Sequence, residues 1–137
     1  MHKKQIIDKI NSTSKNSAVE NLGIIITDLG EKYICGKMPV DRRTIQPYGL
    51  LHGGASVLLA ESLGSIAGNM AVDMDKQTVV GVEVNANHIK PARSGWVYGK
   101  ATALSLGKRL QVWKIKITNK NDDLICDSRL TLAVINK

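Results

Sequence analysis

The chain has 137 residues, 43% hydrophobic and 23% charged, a balance that suits one compact domain over residues 1–137 and excludes a disordered tail or a scaffold dependent on staples. The net charge is +7, but nine Lys/Arg balance nine Asp/Glu as far as Ile89, and from Lys90 onward ten Lys/Arg face three Asp/Glu. That local excess is either a solvated basic face or a seat for an anionic ligand; a phosphorylated small molecule fits it, and without a basic helix or an aromatic stacking series no nucleic-acid partner is expected.

In chain order, Ile6, Ile7 and Ile10 give His2 to Ile10 a short amphipathic helical pattern, broken by the polar run Asn11 to Ser17. Leu22 to Leu29 is rich in β-branched residues and reads as a strand. A turn at Leu29-Gly30-Glu31 leads to a second strand near Lys32 to Met38, so the two are expected to form a hairpin. Pro39 to Leu51 holds two prolines and a glycine and reads as a loop with room for one helical turn.

Gly53 to about Asp73 then reads as one long helix, apolar on nearly every side, which places it inside something. The apolar stretch Gly49 to Val72 is not expected to span a membrane, because His52, Glu61 and Asn69 interrupt it. Strand-like segments follow at Thr78 to Ile89, Trp96 to Leu106, Leu110 to Thr118 and Leu124 to Ile135. In the first, Val80, Val82, Val84 and Ala86 are expected on one face. In the third, Trp113, Ile115 and Ile117 alternate with Lys114, Lys116 and Thr118. In the last, Cys126, Ser128, Leu130, Leu132 and Val134 alternate with Asp127, Arg129 and Thr131. A period of two marks an antiparallel sheet with one covered face. The sum is an α+β arrangement, a sheet wrapped around one helix. One helix covers little sheet and long strands leave edges, so at least a dimer is expected.

Two cysteines, Cys35 and Cys126, lie outside any metal or redox spacing, and Met1 to Lys15 is polar and basic rather than a secretory leader. A cytoplasmic setting is therefore expected, with no metal and no organic cofactor.

Glu61 is the most informative residue. Between Arg43 and Asp73 it is the sole Asp, Glu, Lys or Arg. A carboxylate in an apolar helix is costly to ionise unless it finds a partner or solvent, and desolvation of this kind suits a general base or nucleophile. Leu51-His52-Gly53-Gly54 precedes the helix. Glycines there let a ligand approach free N–H groups at the positive end of the helix, a place to hold a developing oxyanion. Glu61 lies about 12 Å further along the axis. That is awkward within one chain, so the site is expected to be shared between two. Gln46 and His52 place polar groups beside the helix start; loop and capping roles are the simpler reading of each. His88-Ile89-Lys90-Pro91 ends a strand, and Ser105-Leu106-Gly107-Lys108-Arg109 sets a glycine and two cations at a strand junction, which fits phosphate binding or an ordinary hairpin tip.

Gln46-Pro47-Tyr48-Gly49-Leu50-Leu51-His52-Gly53-Gly54-Ala55-Ser56, Leu59-Ala60-Glu61-Ser62-Leu63-Gly64-Ser65, Val80 to His88 and Leu106 to Arg109 together resemble the hotdog-fold acyl-CoA thioesterases. Within them they resemble the 1,4-dihydroxy-2-naphthoyl-CoA hydrolases of menaquinone synthesis and related aromatic acyl-CoA enzymes. The resemblance runs from about Val40 onward. It implies a hotdog fold, a sheet around a long helix, assembled as a homotetramer (a dimer of dimers) with sites at subunit interfaces. It implies that Glu61 is the catalytic carboxylate, as nucleophile or as base on water, and that the Gly53 N–H polarises the thioester carbonyl. Gln46 and His52 would position the reacting groups, and Ser65 would lie near the acyl group. Gly81, His88, Ile89, Lys90 and Pro91, with Ser105, Leu106, Gly107, Lys108, Arg109 and Leu110, would hold CoA. Tyr48 stands where the family pattern has Phe, and Pro91 where a small polar residue is usual. The alternatives are a hotdog dehydratase, which needs a His and an acid placed for elimination, and a non-catalytic acyl-CoA binding module, which would not need Glu61.

Overall fold

A computed structural model of the chain describes residues 2–137. Its elements are α1 (Lys3–Thr13), α2 (Ala18–Asn21), β1 (Ile25–Gly30), β2 (Tyr33–Pro39), α3 (Gly53–Met70), β3 (Gln77–His88), β4 (Trp96–Leu106), β5 (Leu110–Thr118) and β6 (Leu124–Asn136). The strands form one antiparallel sheet in the order β1-β2-β4-β5-β6-β3. Helix α3 lies against β2, β3, β4, β5 and β6, while α1 lies against β1. The expected sheet around one helix is thus what the chain forms.

The core lies between α3 and the sheet. Leu59, Ala60 and Leu63 of α3 are fully buried against Ile34, Met38, Val97, Trp113, Ile115 and Leu130. The helix comes close because two strands carry glycine where it crosses. Gly36 and Gly99 are register partners on β2 and β4. A Cβ on either would come within 2.8 Å or 2.7 Å of a Leu63 methyl, so Leu63 fills a trough that side chains would close. A buried polar link holds the far end of the helix. Gln111 Nε2 donates to the Gly68 carbonyl at 3.2 Å, and its Oε1 accepts from Trp113 Nε1 at 2.9 Å.

The two sheet edges differ. On β1, Asn11 of α1 takes both backbone groups of Ile26: the Ile26 N–H donates to Asn11 Oδ1 at 2.9 Å and Asn11 Nδ2 donates to the Ile26 carbonyl at 3.1 Å. On β3, Asn69 Oδ1 accepts the Val79 N–H at 3.1 Å and the Thr78 hydroxyl at 3.0 Å. Beyond Val79 no element of the described chain pairs with the outer side of β3.

Several local expectations need correction. α1 continues to Thr13 rather than breaking at Asn11, and the short α2 precedes β1, which starts at Ile25. α3 ends at Met70, with Ala71 as its C-cap, short of Asp73. It is buried on one face only; Glu61, Ser62, Ser65 and Ile66 are half-exposed. In β3 the predicted face of Val80, Val82, Val84 and Ala86 does not exist. Gly81 pairs with Leu132 and Glu83 with Thr131, so Val82 is an extra residue in a bulge. One extra residue switches the faces of everything beyond it. Val79, Val84 and Ala86 therefore turn to the core, while Val80 and Val82 are 44% and 59% exposed.

Because Leu63 sits in the glycine trough with no exposed surface, Leu63→Ala should lower stability by about 2–5 kcal/mol. Urea denaturation checks this, and a loss under about 1 kcal/mol would mean that the trough collapses around the smaller side chain.

Candidate active site

Helix α3 begins where the loop 46–52 is pinned. The Gln46 Oε1 accepts the backbone N–H groups of Tyr48 and Leu50, and Ile45 bridges to Leu51. His52 is the N-cap: its Nδ1 accepts the Gly54 N–H at 2.8 Å, and its carbonyl accepts the Ala55 N–H at 3.0 Å. The Gly53 N–H has no acceptor among the described residues. The His88 imidazole lies over Gly53, its Nε2 2.9 Å from where a Cβ would stand. Gly53 is thus an open donor at the positive end of an 18-residue helix, with an imidazole beside it. A cavity of about 320 Å³ opens there, lined by Gln46, Gly53, Ser56, His88, Lys90 and Pro91 among others. His52 and Gln46 brace the helix start and loop, and Gln46 also reaches the cavity wall.

Glu61 faces a different cavity of about 430 Å³, whose walls include Ser62 and Ser65 of α3 and Thr13, Ser14 and Ser17 from the connection between α1 and α2. Its carboxylate lies against Gly81, and a Cβ there would collide with Oε2. Among the described residues the ion pairs are Lys3–Asp28, Arg43–Asp41 and Lys90–Asp123. Glu61 is in none of them and accepts no hydrogen bond. The lone carboxylate is therefore neither buried in the core nor neutralised by a distant cation. It is half-exposed.

The two cavities share no lining residue. Down β3, Gly81 and His88 are six pairing steps apart across the bulge, about 20 Å, and α3 runs beside them with Glu61 at Gly81 and Gly53 at His88. One chain therefore supplies a carboxylate and an N–H donor that cannot meet on the same small group.

The segments expected to hold CoA are divided as well. His88, Ile89, Lys90 and Pro91 line the Gly53 cavity, while Gly81 belongs with Glu61. Ser105, Leu106, Gly107, Lys108, Arg109 and Leu110 form the exposed β4–β5 tip and line neither cavity. Register explains where they lie: Leu106 pairs with Gln111, Gln111 with Leu132, and Leu132 with Gly81, so the tip is level with Gly81 on the sheet. Lys90 is engaged by Asp123 at 2.9 Å. That hydrogen bond, helped by Asn119, holds the Asp123 carboxyl below the usual carboxylate range. Burial pushes the Cys35 and Cys126 thiols up, away from the reactive thiolate. Among the described residues no three His, Cys, Asp or Glu side chains gather as metal ligands, and no helix is long and apolar enough to cross a membrane.

Sequence reasoning missed the hydroxyls of Thr13, Ser14, Ser17 and Ser62 around Glu61. Nothing in their spacing marks them; only the packing of the N-terminal segment on α3 brings them there. It also set Gly81 among the CoA contacts and gave no sign that it seats the carboxylate.

The family model described as the thioesterase superfamily matches residues 48–126. A 1,4-dihydroxy-2-naphthoyl-CoA hydrolase of Escherichia coli K12 is 46% identical over 133 residues, which cover 97% of this chain and 97% of that one. Among solved structures, a Haemophilus influenzae thioesterase superposes with a TM-score of 0.92 at 51% identity, covering 95% of this chain and 90% of that one. A mutant thioesterase of Pseudomonas aeruginosa gives 0.94 at 44% identity, with coverage of 96% and 94%.

The Lys90–Asp123 pair yields a titration test. The folded carboxyl is depressed, so its contribution to stability is present above the unfolded carboxyl pKa and is lost as pH falls through the folded value. Lys90→Met should move the Asp123 midpoint, followed by carboxyl NMR, back up towards the ordinary range. A midpoint that stays put would mean that Lys90 is free in solution.

Proposed function

The chain belongs to the thioesterase superfamily, and on that premise we propose that it hydrolyses an aromatic acyl-CoA such as 1,4-dihydroxy-2-naphthoyl-CoA to the free acid and CoA, as one cytoplasmic hotdog domain. The observation that carries this reading is the unpaired Glu61 carboxylate, set against Gly81 at the wall of a cavity lined by hydroxyls and by Ala18, Val19, Leu58 and Ile66. As a base, Glu61 takes a proton from water while the hydroxide adds to the thioester carbon. As a nucleophile, its oxygen adds directly and water cleaves the resulting anhydride. In either case the carbonyl oxygen gathers negative charge, for which the Gly53 N–H is the donor, and the C–S bond breaks; the departing thiolate takes a proton, from Glu61 in the first route and from water in the second, and leaves as the CoA thiol. His52 and Gln46 keep the Gly53 turn in shape, Ser65 faces the acyl group, and the segments His88 to Pro91 and Ser105 to Leu110 hold CoA.

The separation of Glu61 from Gly53 calls for a second copy of the chain. β3 is the open edge of the sheet. Antiparallel pairing of two β3 strands about a two-fold axis near Val84–Asn85 would set Gly81 of one copy opposite His88 of the other. Glu61 would then meet the second copy's Gly53, and two equivalent sites would form. Pairing of two such dimers gives the homotetramer. A non-catalytic binding module would not need Glu61, whose half-exposed carboxylate takes part in no ion pair among the described residues.

Thiol release from a panel of acyl-CoA esters tests the assignment. Glu61→Gln should lower turnover at least ~100-fold. Gly81→Ala, which displaces the carboxylate, should lower it about 10- to 100-fold with an unchanged melting temperature. Equal turnover by wild type and Glu61→Gln would remove Glu61 from its role. A separate test addresses the shared site: Val82→Lys, a charge on the open edge, should give a monomer by light scattering with activity lost in parallel. A fully active monomer would overturn the two-copy site.

A further inference from the structure

Lys90 is the one Lys or Arg among the residues that line the Gly53 cavity. Asp123 is not among them, yet its Oδ2 accepts from the Lys90 ammonium at 2.9 Å. The cavity's lysine is therefore neutralised from outside the cavity. The two partners are anchored separately. Ile89 and Lys90 both donate their backbone N–H groups to the Ile125 carbonyl, at 2.8 Å and 3.3 Å, and Pro91 restricts Lys90 to extended backbone. Asp123 is set by the β5–β6 tip. Asn119 Oδ1 accepts the N–H groups of Asn121 and Asp123 at 2.9 Å and 3.0 Å, and Asn119 Nδ2 donates to Asp123 Oδ2 at 3.1 Å. The Asn119 N–H donates to the Asp123 carbonyl at 3.1 Å. The tip thus closes on itself without Lys90, and the carboxylate stands ready as an acceptor. The movable part is the flexible Lys90 stem with its ammonium. The two side chains are 54% and 41% exposed, a setting in which an ion pair is weak and exchanges readily.

We propose that Asp123 is an internal competitor for Lys90: a ligand phosphate that takes the ammonium must displace the Asp123 carboxylate, which recaptures Lys90 as CoA departs. This rests on the assignment of His88 to Pro91 to CoA above and deepens it, naming a residue that sets how tightly the phosphates are held. A phosphate gains a charge-assisted hydrogen bond from Lys90, but it must part the Lys90–Asp123 pair and approach a carboxylate of like charge. Chains whose Lys90 is held by Asp123 are not ready for the phosphate, and the apparent affinity falls by that fraction. Exposure of the pair makes this a reversible exchange rather than a block. A purely structural tie between β3 and the tip is the poorer reading, because Asn119 already closes the tip. Asp123 touches no ligand and acts through Lys90, so it is a positioning residue whose removal tightens binding.

The experiment is calorimetric titration of CoA into wild type, Asp123→Asn, Lys90→Met and the double variant, with thermal melts to verify folding. Asn at 123 keeps a side-chain oxygen for Asn119 and removes the charge. Asp123→Asn should tighten CoA about two- to fivefold, and Lys90→Met should weaken it at least ~3-fold. In the Lys90→Met background, Asp123→Asn should change nothing, an outcome that a merely structural role of Asp123 does not produce. Raised salt should shrink the gain from Asp123→Asn. Unchanged or weaker binding by Asp123→Asn overturns the proposal, and so does a gain that persists without Lys90. An affinity for CoA indifferent to Lys90→Met overturns it as well, by removing Lys90 from the phosphate. Thiol release from benzoyl-CoA, run in parallel on wild type and Glu61→Gln, separates the two readings. Glu61-dependent turnover beside any of these overturning results leaves the thioesterase assignment standing. No CoA binding and no turnover by wild type overturns that assignment, and the role of Asp123 falls with it.

Discussion

The close approach of α3 to the sheet is the constraint from which the other features follow. Leu63 enters the gap left by Gly36 and Gly99, and that depth of packing sets where every other residue of the helix can go. With Leu59, Ala60 and Leu63 turned to the core, Glu61 must face the side, where β3 runs. There Gly81 is the residue without a side chain, and the bulge at Val82 follows immediately. The carboxylate keeps its seat because the strand beside it has been stripped of bulk, and it stays unpaired because no cation has been placed within reach.

Much of this was legible in the sequence, for identifiable reasons. β5 and β6 were readable because one face meets Trp113, Ile115 and Leu130 and the other meets water, so the alternation is clean. Glu61 stood out because it is the sole charged residue between Arg43 and Asp73, in an otherwise apolar helix. β3 was misread because a bulge leaves no mark in hydrophobicity: Val80, Val82 and Val84 look equivalent in the chain and differ only once β6 supplies the register. α2 spans four residues, too few for a period to emerge. Helical rise alone put Glu61 about 12 Å along α3 from Gly53, and in the fold the two line separate cavities, but the serine and threonine side chains at Glu61 depend on long-range packing.

The basic excess of the last third also takes a different meaning in the fold. Lys114 and Lys116 alternate with the buried Trp113, Ile115 and Ile117, and so occupy the sheet face turned away from α3. Lys100 is opposite Lys116 and Lys114 opposite Arg129 on that face. Like charges directly opposed cost some stability, partly relieved where Asp127 pairs in register with Lys116. Much of the excess is therefore a solvated outer surface; Lys90 lines the Gly53 cavity, and Lys108 and Arg109 sit at the exposed β4–β5 tip.

The amide of Asn11 bears on how far the sheet can grow. A β-sheet with two open edges is divalent and can add copies without end; one with a single open edge is monovalent. By occupying both backbone groups of Ile26, Asn11 removes one valence and leaves β3 as the other. Two chains that join through β3 then exhaust their capacity for edge addition, and the product is finite by stoichiometry rather than by the chance of a weak contact. A side chain remote from Glu61 thus makes the two edges of the sheet unequal, β1 blocked at Ile26 and β3 open beyond Val79.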